Sequence, residues 1–183
     1  MGEAVAGQRP GSRIRAASGR DSDPSAPRIH VDLTHQHLEV RTGGRLLRRY
    51  PVSTGANGAG ERIGSGCTPR GMHRVRIKIG QGCPTGAVFR ARRWTGEIYS
   101  PELAAAEPER DWILTRILWL TGLESGRNRG QDVDTLRRFI YIHGCPDSEP
   151  MGVPCSHGCV RMQNSQVVEL SDLIPVGALV ELG

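Results

Sequence analysis

Ser156-His157-Gly158-Cys159-Val160-Arg161-Met162, with Tyr141-Ile142-His143-Gly144 a short distance upstream, sets one cysteine among two histidines, glycines and an arginine. A thiol near its free pKa of about 8.5 is mostly protonated at neutral pH and needs a neighbouring imidazole or cation to act as a nucleophile. His143 and His157 are the two candidate bases. His157 lies two residues before Cys159, so an extended backbone would point both side chains the same way. Gly158 allows a tight turn ahead of the cysteine and keeps bulk away from an incoming carbonyl. The main-chain N–H groups of Gly158 and Cys159 are natural donors to a developing oxyanion. Arg161 carries a planar fork that suits a carboxylate, either the substrate's or a protein partner's. Ser156 contacts substrate or shapes the turn. The bland alternative for Cys159 is a buried structural thiol, since free cysteine behaves as a small hydrophobe. If Cys159 is instead activated, it should be alkylated at about pH 6 to 7 ahead of Cys67, Cys83, Cys145 and Cys155.

Outward from this centre the chain reads as a mainly β fold, a β-sandwich of short strands with one late helix and an inserted region near residues 80–133. Ile29 to Leu33, His37 to Arg41 and Leu46 to Ser53 are predicted strands, with Gly43-Gly44 as the hairpin turn between the last two. The glycine-rich run Gly55 to Gly60 lacks the Gly-Lys-Ser/Thr ending of a phosphate loop and is expected to be a flexible connection. Arg74 to Ile79 alternates polar with apolar residues, the pattern of a half-exposed strand whose Arg/Lys face is solvated. Trp112 to Leu120 is an apolar run that fits a strand or a buried helix; its β-branched residues and Gly122 favour strand. Arg138 to His143 is a predicted strand delivering His143 at its end. Gln163 to Ile174 is the predicted helix, capped by Asn164 or Ser165 and stopped by Pro175, with Ala178 to Leu182 a closing strand.

At these residues the chain resembles the L,D-transpeptidases, the cysteine enzymes that remodel bacterial peptidoglycan. Their pattern is a His-Gly dipeptide followed, after a loop, by Ser-His-Gly-Cys-aliphatic-Arg or Asn, and here His143 precedes Cys159 by 16 positions. Tyr50 to Gly55, Thr68-Pro69-Arg70-Gly71-Met72-His73, and Met151-Gly152 with Pro154 resemble further family segments. Cys145 and Cys155 depart from the family pattern and bring extra thiols near the site. The resemblance implies that Cys159 is the nucleophile and His143 the general base, oriented by the main-chain carbonyl of Gly144, with His157 secondary. It implies attack on the third residue of a peptidoglycan stem peptide, release of the terminal D-alanine, and transfer of the acyl group from a thioester to an amine. It also implies carbapenem acylation at Cys159, a role in cell-wall biogenesis and cell shape, and work in the cell envelope or periplasm without a metal or organic cofactor.

Size and composition are compatible with this. The 183 residues suit a catalytic domain over residues 28–183, preceded by a Gly/Ser/Ala/Arg/Pro-rich tail, residues 1–27, that reads as disordered. That tail has no apolar core of a secretory signal and the chain shows no membrane span, which leaves an unrecognised export route, a natural start other than Met1 and a cytoplasmic enzyme all open. Lys and Arg total 24 against 19 acidic residues, and no basic block is interleaved with aromatics, so nucleic acid is not an expected partner. Five cysteines cannot all pair internally; Cys67 with Cys83, or Cys145 with Cys155, are open pairings. His30, His35, His37 and His73 belong to no motif and default to surface or packing roles. Three rivals stand: an L,D-carboxypeptidase that hands the same acyl group to water, a wall-binding protein that keeps the fold without activity, against which the intact Cys159 and His143 argue, and a zinc-binding module using Cys155, His157 and Cys159 with His143 or Cys145 as fourth ligand.

Overall fold

The structure, a computed structural model, describes residue 23 and residues 25–183. The expected disordered tail therefore lies, apart from its last residues, outside the described residues. Among the described residues the chain forms ten strands, two α-helices and one 3-10 turn. Strands β1 (Arg28–Asp32), β2 (His37–Thr42) and β3 (Arg45–Pro51) form an antiparallel meander. Gly43 and Gly44, both at positive φ, make its second turn, a conformation that glycine adopts without steric cost. β4 (Gly71–Ile79), β5 (Ala87–Arg90), β6 (Arg93–Ile98), helix α1 (Pro101–Ala106) and β7 (Ile113–Gly122) follow. The 3-10 turn (Gln131–Val133), β8 (Tyr141–Gly144), β9 (Val160–Met162), helix α2 (Asn164–Leu173) and β10 (Leu179–Leu182) complete the order.

The sheet order is β3-β2-β1-β10-β4-β7-β5-β6, with β8 on β7 and β9 beyond β8. Just past β3 the chain meets β9: Ser53 and Arg161 exchange backbone hydrogen bonds of 3.0 and 2.8 Å. One hydrogen-bonded sheet thus curls until its ends meet, and the packed faces of the expected sandwich belong to it. Ile29, Val31, Leu38 and Val40 from one side meet Leu118, Leu120, Ile142, Val160 and Met162 from the other, with Val167, Leu170 and Ile174 of α2 in the same core.

β7 explains why its sequence did not arbitrate between strand and helix. Leu118 and Leu120 face the main core, while Ile117 and Trp119 pack with Ala87, Phe89 and Tyr141 on the opposite face. A strand buried on both faces has no polar side to alternate with. The predicted alternation of β4 is interrupted: its register with β7 shifts between Val75 and Ile77, which turns Ile77 outward to 40% exposure. The inserted region is ordered, supplying β5, β6 and α1. The Gly55 to Gly60 connection is tied down by Gly58 N–H to Gly55 O, Gly60 N–H to Thr68 O and Thr68 N–H to Gly58 O, contrary to the expected flexible loop. Helix α2 starts where expected, but its N-cap residue is Gln163, without a side-chain cap; Asp147 Oδ1 accepts the Asn164 N–H at 3.4 Å. The tertiary partner substitutes for a local cap. At the other end the Lys78 ammonium donates to Ile174 O at 3.0 Å, before Pro175.

His73, fully buried in β4, shows a packing role for one of the unassigned histidines. Its Nδ1 donates to Gly71 O at 2.9 Å and Nε2 accepts from Thr135 Oγ1 at 3.0 Å, the arrangement of a neutral ring. Burial lowers its pKa to about 4 from an ordinary 6.5, partly opposed by the Gly71 carbonyl. The unfolded chain therefore takes up this proton first as pH falls: the contribution to stability is whole above 6.5 and is lost progressively towards 4. Urea midpoints are expected to drop from about pH 7 to about pH 4.5, and His73→Asn should flatten that slope. An unchanged slope in the variant would show that His73 does not titrate this way.

Candidate active site

Parallel pairing of β8 with β9 sets Ile142 beside Val160 and His143 beside Arg161. The same register places Cys159, one residue before β9, next to Tyr141, two residues before His143 and on the same face of β8. Cys159 Sγ accepts the Tyr141 N–H at 3.3 Å and donates to Phe139 O at 3.4 Å. His143 is buried, and its Nδ1 donates to Gly144 O at 2.8 Å. A neutral ring held in this way keeps its lone pair on Nε2. The predicted strand over Arg138 to His143 is shorter at its start, because residues 135–139 form turns and Phe139 sits at φ +57°.

The turn carrying Cys159 is built from distant segments. Ser156 is buried; its Oγ donates to Cys159 O at 2.6 Å and accepts the Gly158 N–H at 3.1 Å. Gly158 stands at φ +115°, and a Cβ there would lie 2.8 Å from Cys67 O, so any side chain would be both strained and blocked. Thr68 Oγ1 joins this turn to the Gly55 segment, donating to Gly158 O and accepting the Gly55 N–H, each at 2.9 Å. Arg138 holds the adjoining loop by donating to Gly60 O at 3.0 Å, Glu61 O at 2.7 Å and Cys67 O at 2.5 Å.

The YkuD L,D-transpeptidase catalytic-domain family model matches residues 26–182. The chain belongs to the L,D-transpeptidase family. A candidate L,D-transpeptidase of Bacillus subtilis (strain 168) is 26% identical over 162 residues, 88% of this chain and 74% of that protein. An L,D-transpeptidase from Mycobacterium smegmatis superposes with a TM-score of 0.55 at 20% identity, covering 86% of this chain and 58% of that one. L,D-transpeptidase 3 from Mycobacterium tuberculosis, in complex with a faropenem-derived adduct, gives 0.53 at 15% identity over 86% of this chain and 60% of that one. These structural likenesses establish the fold, and the chain spans about three-fifths of the length of those two solved proteins.

Within this L,D-transpeptidase-family enzyme the sequence-selected residues fall into distinct places. The Ser156 hydroxyl is committed to Cys159 O and Gly158 N–H, so it shapes the turn and does not reach for substrate. The Gly158 N–H is occupied by the same hydroxyl, which removes it from the expected oxyanion pair, whereas Cys159 N–H has no partner among the described residues. Arg161 is nine-tenths buried, and its fork is taken by Asp111 at 2.9 Å and Glu149 at 3.5 Å, with Cys155 O at 3.5 Å. The expected substrate-carboxylate grip is thus filled by the protein's own acids. His157 does not share the protected setting of Cys159: the intervening Gly158 is not extended, and the imidazole is 82% exposed, 4.0 Å from Asp111.

All five cysteines are free, so neither open pairing forms. Cys155 Sγ lies 2.9 Å from Ser53 Oγ, whereas Cys159 Sγ sits between Tyr141 and Phe139. With His157 at the surface, the three donors of the zinc alternative do not converge, and no cluster of three metal-ligating residues occurs among the described residues. Likewise, no helix among them is long and apolar enough to cross a membrane.

Asp111, Glu149, Thr68, Arg138 and the Phe139 carbonyl escaped sequence reasoning. Only Thr68 had a local signal, the Thr-Pro-x-Gly segment; a charge on a loop or a main-chain carbonyl leaves no spacing pattern.

Burial raises the Cys159 thiol to about 12, against the opposing pull of the Tyr141 N–H and, more weakly, Arg161 and Arg138. Burial also depresses His143 to about 4, opposed by the Gly144 carbonyl and Asp111. Both shifts favour the neutral forms and so run against the standing thiolate expected at about pH 6 to 7. Alkylation of Cys159 in the free enzyme should be slow at neutral pH and climb steeply on the alkaline side; a plateau below about pH 7 by peptide mapping would reveal a preformed thiolate instead.

Arg161→Ala should leave two carboxylates facing each other. Because Asp111 and Glu149 are both partly exposed, the loss is expected at about 1 to 2 kcal/mol in urea unfolding. Undiminished stability with a raised KM for stem peptides would return the fork to substrate binding.

Proposed function

We propose that this chain is a cysteine acyltransferase acting on peptidoglycan stem peptides in the cell envelope, with residues 28–183 as its catalytic unit. The observation that carries this reading is the His143 ring, anchored through Nδ1 to Gly144 O and so presenting Nε2 as a base, on the strand beside Cys159. As substrate enters, the thiol turns from Phe139 O towards His143, and Sγ attacks the carbonyl of the third stem residue while its proton passes to Nε2. The oxyanion is received by Cys159 N–H. Collapse breaks the peptide bond, and His143 returns the proton to the departing D-alanine amine, leaving a thioester on Cys159. An acceptor amine then attacks the thioester, gives a proton to His143, and the released sulfur takes it back. No step requires a change of oxidation state. His157, exposed at the rim, is a substrate contact with a secondary effect on rate.

Incubation with purified tetrapeptide muropeptides, followed by mass spectrometry of products and protein, is the direct test. A transient acyl adduct on Cys159, free D-alanine and cross-linked dimers are expected. Cys159→Ala should lose turnover by a factor on the order of 10⁴ or more, and His143→Gln should approach that loss. His157→Ala should cost no more than roughly 10²-fold. A carbapenem should add once, to Cys159. Release of D-alanine with tripeptide as the sole product would identify water as the acceptor, and the absence of any adduct would sink the acyl-enzyme reading.

A further inference from the structure

Thr115 sits in the one irregularity of β7 on its β8 side, where the register slips between Leu114 and Ile117. It holds φ +67°, a genuine outlier for a β-branched residue. Such strain persists only where its surroundings enforce it. Here the buried hydroxyl accepts the Gly86 N–H at 2.9 Å and donates to Asn164 Oδ1 at 2.5 Å. Asn164, buried at the start of α2, passes the connection on: its Nδ2 donates to Cys145 O at 2.9 Å and to Asp147 Oδ1 at 3.1 Å.

Gly144 lies between these two side chains. A Cβ on Gly144 would stand 2.6 Å from Asn164 Oδ1, 2.8 Å from Leu114 O and 3.2 Å from Thr115 Cβ. The pair therefore packs directly on the Gly144 Cα. The Gly144–Cys145 peptide is held by Cys145 N–H donating to Met162 O at 3.1 Å, and the peptide after it by Asn164 Nδ2 donating to Cys145 O. The carbonyl that belongs to this clamped segment, Gly144 O, is the acceptor of His143 Nδ1. A modest rotation of that peptide would take the acceptor away from the ring and free the imidazole to change tautomer.

We infer that Thr115 and Asn164 are positioning residues for His143, locking the Gly144 carbonyl so that the ring keeps its proton on Nδ1 and its lone pair on Nε2. Neither hydrogen-bonds to Cys159, so their influence runs through the Gly144–Cys145 segment. The inference rests on the acyl-transfer reading for its catalytic meaning, while the ring orientation itself is observable without substrate.

The test is ¹⁵N NMR of the imidazoles at about pH 7, with the His143 resonances assigned by their loss in His143→Gln, run beside steady-state kinetics on tetrapeptide stems. Thr115→Val keeps the branching and removes the hydroxyl. It should convert a single Nδ1–H tautomer into a mixture and lower kcat on the order of 10- to 100-fold with KM changed less than about twofold. Thr115→Ser should recover most of that loss. If Thr115→Val fails to fold, Asn164→Ala makes the same demand from the other side. A folded variant that retains the single tautomer and wild-type kcat would overturn the inference. A shifted tautomer in an enzyme whose wild type turns over no stem peptide would uphold the positioning role and reject the acyl-transfer reading.

Discussion

The ladder that sets Ile142 beside Val160 is the contact on which the rest of the site depends, because it lays the turn carrying Cys159 alongside the strand that carries His143. Parallel neighbours need a crossover, usually supplied by a helix. Here residues 145–159 cross over without one, and the chain leaving β3 serves as their template. Val52 O accepts the Gly152 N–H at 2.9 Å, Thr54 O accepts the Ser156 N–H at 2.9 Å, and Ala56 N–H donates to Ser156 O at 2.8 Å. Together with the reciprocal Ser53–Arg161 bonds, these contacts close the curled sheet and press Gly158 against Cys67. Sheet closure and assembly of the site are thus the same event.

That closure also sets the electrostatics. Withdrawing Cys159 and His143 from water favours the neutral form of each; the nearby guanidiniums partly oppose this at Cys159, whereas Arg161 adds to it at His143. Arg138 is spent on three loop carbonyls and Arg161 on two carboxylates, so neither is a free counter-ion for a thiolate. The thiol instead rests between a main-chain donor and a main-chain acceptor. The resting thiol thus lies in a main-chain cradle with no guanidinium left free to hold it as a stored ion pair.

Arg161 and Asn164 show how near neighbours in sequence divide their tasks. Arg161 faces the crossover and neutralises Asp111, which arrives from the segment before β7, and Glu149. Asn164, three residues later, faces the other strand of the site and bonds to Thr115 and Cys145. Each ties a different stretch of the inserted or crossover chain to the β8–β9 pair, so the surrounding loops hold the centre through polar contacts that a core of aliphatic side chains would not supply.

How much of this was legible depends on the range of the interaction responsible. Short-range patterns spoke plainly: the Gly43-Gly44 hairpin, the late helix ended by Pro175, and the His-Gly and Ser-His-Gly-Cys runs that point to the family all lie within a few residues along the chain. The residues 80–133 were opaque because β7 is buried on both faces and its strained Thr115 is enforced from outside. The roles of Ser156, Gly158 and Arg161 were undecided in sequence, since a hydroxyl, an N–H and a guanidinium serve substrate or protein equally well until their partners are known. Asp111 and Glu149, the partners of Arg161, lie 50 and 12 positions away in the chain, and Cys67, which crowds Gly158, lies 91 away, whereas the Ser156 hydroxyl and the Gly158 N–H bond within their own turn. Residue types and local spacing thus determined the fold class and which groups are chemically able to react. Only the curled sheet decided which of them are already engaged, because hydrogen bonding, burial and charge pairing are properties of neighbours in space.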